Sequence, residues 1–132
     1  MAADFLNADL EIVSDKPLDF LCKEIGDRAF TLYCGPYTDG KFLAAFEVDA
    51  QVEDGCRVPD GLMQRFCHLF GDLSKESALL WNEACSRVID LGYEANDGSE
   101  RLVHSLTLDT LQRLCELRIE INITLYPQGI VP

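Results

Sequence analysis

The run Thr107-Leu-Asp-Thr-Leu-Gln-Arg-Leu-Cys-Glu-Leu-Arg-Ile-Glu-Ile-Asn-Ile-Thr-Leu125 changes its hydrophobic period halfway along. Leu108, Leu111, Leu114, Cys115 and Leu117 recur at helical intervals, which predicts an inward stripe, and Thr107 stands where a side-chain oxygen caps the first turn. From Ile119 the apolar residues fall on every second position: Ile119, Ile121, Ile123 and Leu125 share one face of a strand, and Glu120, Asn122 and Thr124 share the other. A helix delivered directly into a half-polar strand calls for a sheet with a helical layer on its apolar side.

The same pattern is found upstream. Leu10 and Ile12 at period two read as a strand over 9–13, and Pro17 opens a helix with Leu18, Leu21, Cys22 and Ile25 on one stripe, ended by Gly26. Residues 29–34 are β-rich, 35–40 have turn chemistry and 41–48 continue as an apolar strand, so a hairpin is expected. Segment 49–60 is acidic and turn-like and reads as an exposed loop. Leu62, Phe66, Leu69, Phe70 and Leu73 form a helical stripe. Ser74 opens a further piece through Leu79, Leu80, Trp81 and Ala84, which favours two short helices over one bent one. Residues 87–93 read as a strand, Asn96-Asp97-Gly98 as a turn, and 102–106 as an alternating strand that closes a second hairpin. The expected class is α+β: a two-layer sandwich, a mostly antiparallel sheet with helices packed on one face, in a single domain over 1–132.

Composition narrows the function. With 132 residues, 48% of them hydrophobic, the chain builds a core without a metal or other cofactor. Its six cysteines contain no C-x-x-C and only Cys67-His68 are adjacent, a poor chelate, so reduced thiols in the cytoplasm are expected. No apolar run approaches the roughly 18–20 residues that span a bilayer, and the first residues lack a signal-peptide pattern. A net charge of −12, from 23 acidic and 11 basic residues, repels phosphate backbones and argues against nucleic acid as a ligand.

The stretches Val88-Ile-Asp-Leu-Gly-Tyr93, Leu106-Thr-Leu-Asp-Thr-Leu-Gln-Arg-Leu114 and Ile119-Glu-Ile-Asn-Ile-Thr-Leu-Tyr126 together resemble a bacterial family, domain of unknown function 4279. Members similarly close with a capped helix and an alternating strand ending in Tyr, and the early strand and helix over 10–26 are compatible with the family's beginning. The resemblance lies mainly in the C-terminal half. It implies a small cytosolic bacterial α+β domain, and some proteins of this type look like immunity partners of polymorphic toxins. It transfers no functional residue.

No phosphate-binding glycine motif, calcium loop or nucleophile motif occurs, so the sequence reads as a binding protein and not as an enzyme. Acidity is strongest in residues 1–60, with 13 acids against five bases. Glu47, Asp49, Glu53, Asp54 and Asp60 are candidates for docking on a basic protein partner, a toxin domain for example, with Tyr33, Tyr37 and Trp81 as candidate anchors. Trp81 fits a core position equally well. A nuclease toxin is basic because it holds phosphates, and an acidic inhibitor opposes that charge directly. Two alternatives stand beside this reading: a pocket near His104 and Cys34 that serves a small enzyme or ligand-binding domain, and a self-associating domain that dimerises through an edge strand. Monomer and homodimer both remain open.

Overall fold

Hydrophobic period translates into structure along most of the chain in a computed structural model, which describes residues 3–48, 59–96 and 101–128. The strands are β1 (Ala3–Ser14), β2 (Phe30–Pro36), β3 (Phe42–Glu47), β4 (Ser86–Ala95) and β5 (Glu120–Tyr126). The α-helices are α1 (Asp19–Ile25), α2 (Pro59–Phe70), α3 (Lys75–Glu83) and α4 (Leu108–Glu116). The sheet order is β2-β3-β1-β4-β5. All neighbours are antiparallel except β4 and β5, which run parallel with α4 in the crossover. This is the expected α+β sandwich. Among the described residues no helix is long and apolar enough to cross a membrane.

Central strand β1 fixes the layers. Ala8, Leu10 and Ile12 point to one side and are buried, whereas Glu11 on the other side is exposed. Leu10 lies opposite Phe46 of β3 and Ile89 of β4, Ile12 opposite Ala44, and Ala8 opposite Leu91, which makes a continuous apolar surface. Leu21 and Ile25 of α1, Leu62, Met63, Phe66 and Phe70 of α2, Trp81 of α3 and Leu114 of α4 join the same cluster. Phe70 packs 5.3 Å from Phe46 and stacks 5.1 Å from Trp81, measured between ring centroids. Each such buried side chain contributes about 1.5–3 kcal/mol.

Polar groups fix the helix ends. The Ser74 hydroxyl accepts the Ser77 amide and caps α3, and the Glu24 carboxylate of α1 accepts from the Ser74 amide at 2.8 Å, the Ser74 hydroxyl at 2.5 Å and the Ser77 hydroxyl at 2.6 Å. One carboxylate thereby ties α1 to the start of α3. At the end of α1, Gly26 adopts φ +58°, a left-handed conformation that favours glycine.

Three expectations need correction. Residues 101–107 form no strand and so no second hairpin with β4, because both edges of β4 are already occupied, by β1 and β5. Their period of two survives as packing: Leu102, His104 and Leu106 are half-buried while Arg101, Val103 and Ser105 are exposed. Helix α4 is rotated from its expected face. Thr110 is buried, with its hydroxyl accepting from Gln64 of α2 and bonded to Thr107, so Thr110, Leu114 and Leu117 turn inward and Leu108 is 85% exposed. Finally, Ile123 and Leu125 share the helix-side face with Ile89 and Leu91, yet Ile123 is 72% exposed. Helix α4 packs mainly against α2 and leaves the outer part of β5 uncovered.

Candidate functional site

The strand period that turns Leu10 and Ile12 toward the helices turns every second residue to the opposite side of the sheet. Across that side the registers align Phe30 of β2, Glu47 of β3, Asp9 of β1, Asp90 of β4 and Asn122 of β5, each opposite the next. The neighbouring row is Tyr33, Ala45, Glu11, Val88 and Glu120. Two adjacent rows therefore hold five carboxylates and no lysine or arginine, with two aromatic rings at the β2 end. Phe30 is 58% exposed and Tyr33 44%, and the Tyr33 hydroxyl is fixed on the Pro36 carbonyl at 2.5 Å.

Directly opposed like charges repel across strands, and Asp9 sits between Glu47 and Asp90. Its carboxyl is pushed up to about 7, first by burial, then by the charge of Glu47 and a hydrogen bond to it, and further by Glu11 and Asp90. Near neutral pH the Asp9–Glu47 pair accordingly holds one proton part of the time. Oδ1 of Asp9 is buried and has no partner among the described residues. Asp90 is steadied by the Thr124 hydroxyl, which donates to its Oδ1 at 2.6 Å. At the end of this row a recess of about 170 Å³ is lined by Leu6, Asn7, Phe30 and Glu47 and by the core residues Ala8, Val48 and Leu62, room for one long side chain reaching toward α2. Such a face accepts cations. Among the described residues no group of three or more His, Cys, Asp or Glu is arranged to hold a metal ion.

Of the residues singled out in the sequence, Glu47 lies on this face beside the central strand, and Tyr33 at its β2 edge. Tyr37 is exposed in the turn between β2 and β3. Asp60 stands elsewhere, in the first turn of α2, where its two oxygens accept from Gln64 and from the Thr107 amide, so it fastens α2 to α4. Asp49, Glu53 and Asp54 fall outside the described residues. Trp81 is only 3% exposed, and its indole N–H donates to the Leu117 carbonyl at 3.1 Å, which makes it core and removes it as a surface anchor. Sequence reading missed Asp9, Glu11, Asp90, Glu120 and Phe30, although the polar half of each alternating strand was the signal for them.

The suggested Cys34–His104 arrangement does not form. Cys34 lies against Asp19, 4.0 Å from its Oδ1, and Cys22 of α1, whose thiol is pushed up by burial and by contact with Cys34. His104 meets the Tyr93 hydroxyl at 3.0 Å and the Phe5 ring at a centroid distance of 6.0 Å. Strands β3 and β1 stand between β2 and β4, a separation of three strand spacings or about 14 Å, too far for proton transfer.

Compared with known proteins, the chain matches no family model, no curated protein and no solved structure.

Proposed function

We propose that this chain is a non-catalytic binding protein whose acidic sheet face docks on a basic protein partner, and that it acts as an immunity protein neutralising a cognate toxin in the bacterial cytoplasm. The observation that supports this reading is the pair of carboxylate rows across β3, β1, β4 and β5, flanked by Phe30 and Tyr33 on a face that none of the described helices covers. Clustered carboxylates speed encounter with a cationic surface and fix its register, while exposed rings beside them supply apolar anchor area. The recess beside Glu47 suits a lysine or arginine side chain of the partner. A nuclease toxin is the fitting target class, since a surface built to hold phosphates meets these carboxylates with the same donors.

The test is capture of a partner from native lysate at about 50 and 500 mM salt, with three forms of the protein compared. One variant carries Glu11→Gln, Glu47→Gln and Glu120→Gln on the sheet face. The other carries Glu76→Gln, Glu83→Gln and Glu116→Gln on the helical layer, so both lose the same charge. A basic, stoichiometric partner that wild type and the helical-layer variant retain, and the face variant loses, supports the reading. Equal retention by all three refutes it, and sedimentation of the free protein separates this from self-association.

A further inference from the structure

The helical layer carries the opposite charge in one place. Gly61, Gln64, Arg65, His68 and Leu69 recur at intervals of three and four along α2, the stripe beside its buried one. With Arg113 of α4 they line a cleft of about 430 Å³ between the two helices. The Nε–H of Arg65 is buried and has no hydrogen-bond partner among the described residues. Among the described residues neither Arg65 nor Arg113 forms an ion pair, although the chain has 23 carboxylates for 11 cations. The adjacent acid is already engaged: Asp60 accepts from Gln64 and the Thr107 amide. Asp109, one turn before Arg113, is exposed and does not close on it. Gln64 donates to Asp60 and to the Thr110 hydroxyl, both at 3.0 Å, which pins α2 to α4 and sets the width of the cleft.

A buried N–H without an acceptor is an unmet demand. An oxyanion meets it, because guanidinium donors match the oxygens of phosphate or carboxylate in a planar fork. Leu69 offers an apolar surface on the cleft wall. The volume lies within the roughly 300–1,000 Å³ of small-molecule sites.

We infer that the cleft between α2 and α4 binds a small molecule carrying an oxyanion on an apolar body, with Arg65 and Arg113 clamping the anion, His68 as a further donor and Leu69 against the body. The site lies in the helical layer and is independent of the acidic sheet face.

The probes are phenyl phosphate and benzoate, titrated calorimetrically and by ligand-observed NMR at fixed ionic strength. Saturable binding of at least one is expected, and the tighter of the two identifies the anion. Arg113→Gln and Arg65→Gln each weaken it at least about tenfold, equivalent to 1.4 kcal/mol, Arg113→Lys less, and Lys75→Gln on exposed α3 not at all. Should Arg65→Gln fail to fold by circular dichroism, Arg113→Gln carries the test alone. The inference is overturned if neither probe binds, if binding survives in Arg113→Gln, or if Lys75→Gln weakens it equally.

Discussion

Replacing Asp9 by Asn isolates the repulsion at the centre of the sheet face. Folding holds the Asp9 proton up to about pH 7, whereas the ordinary value for such a carboxyl is 3.8. Between those limits the folded state binds more protons than the unfolded chain, so stability from this group is full below about pH 4 and falls as pH rises toward 7. Unscreened, the difference amounts to about 4 kcal/mol at 1.36 kcal/mol per pH unit. Asp9 is only half-buried, and solvent screening reduces this to about 1–2 kcal/mol. Asn at this position carries no charge and keeps an N–H donor for Glu47. Asp9→Asn is therefore expected to exceed wild type in stability by about 1–2 kcal/mol at pH 8, and by roughly half as much at pH 5.5. The assay is urea unfolding followed by Trp81 fluorescence at both pH values, which keeps clear of the isoelectric point near 4.4. A gap that does not widen with pH, or a variant less stable than wild type at pH 8, refutes the reasoning.

Three further outcomes are expected. Ser74→Ala removes the α3 cap and one of the groups on Glu24, and should lower stability by about 1–2 kcal/mol in urea titration with an unchanged m-value. Trp81→Phe loses the indole donor to Leu117 and part of the stack on Phe70, a loss of about 1–3 kcal/mol, read as a lower melting temperature. A cationic partner placed over Glu47, Asp9 and Asp90 favours the ionised form of Asp9, so binding at pH 7 should release about half a proton. Calorimetry in buffers of different ionisation enthalpy measures this, and no buffer dependence would mean that the partner does not cover Asp9.

Elements whose signals are local were legible in the sequence. Ser74 and Thr107 cap the helices that follow them, the segment over 59–83 divides into α2 and α3, and the turn after β2 joins it to β3. What was not legible depended on partners distant in the chain. The alternation of Leu102, His104 and Leu106 gives no sign that β5 already occupies the edge of β4. The leucine stripe of α4 likewise gives no sign that Thr110 bonds to Gln64, 46 residues away, and turns the helix. The acidic face had the same obstacle. Glu47 stood out beside the acidic segment, but Asp9, Asp90 and Glu120 sit singly among apolar neighbours in sequence and become a group only when the registers align them. The cleft residues Arg65 and Arg113 are 48 positions apart and line one cleft only because α2 and α4 pack together.

Sheet geometry explains why the fold tolerates the carboxylate rows at all. In β1 the inward residues Leu10 and Ile12 are wholly buried, so the strand is held by its apolar side, and its outward positions remain open to whatever the surface requires. Neutral polar residues there, as at Asn7 and Asn122, would avoid the repulsion around Asp9. The charges of Glu47, Glu11 and Asp90 around Asp9 thus lower stability near neutral pH in a way the fold does not need, a pattern found where binding competes with stability. Affinity, and not stability, distinguishes a binding role from a surface that only keeps the chain in solution. If the rows serve a basic partner, Asp9→Asn gains stability at pH 8 and loses affinity. If they serve only solubility, it gains stability and affinity is unchanged.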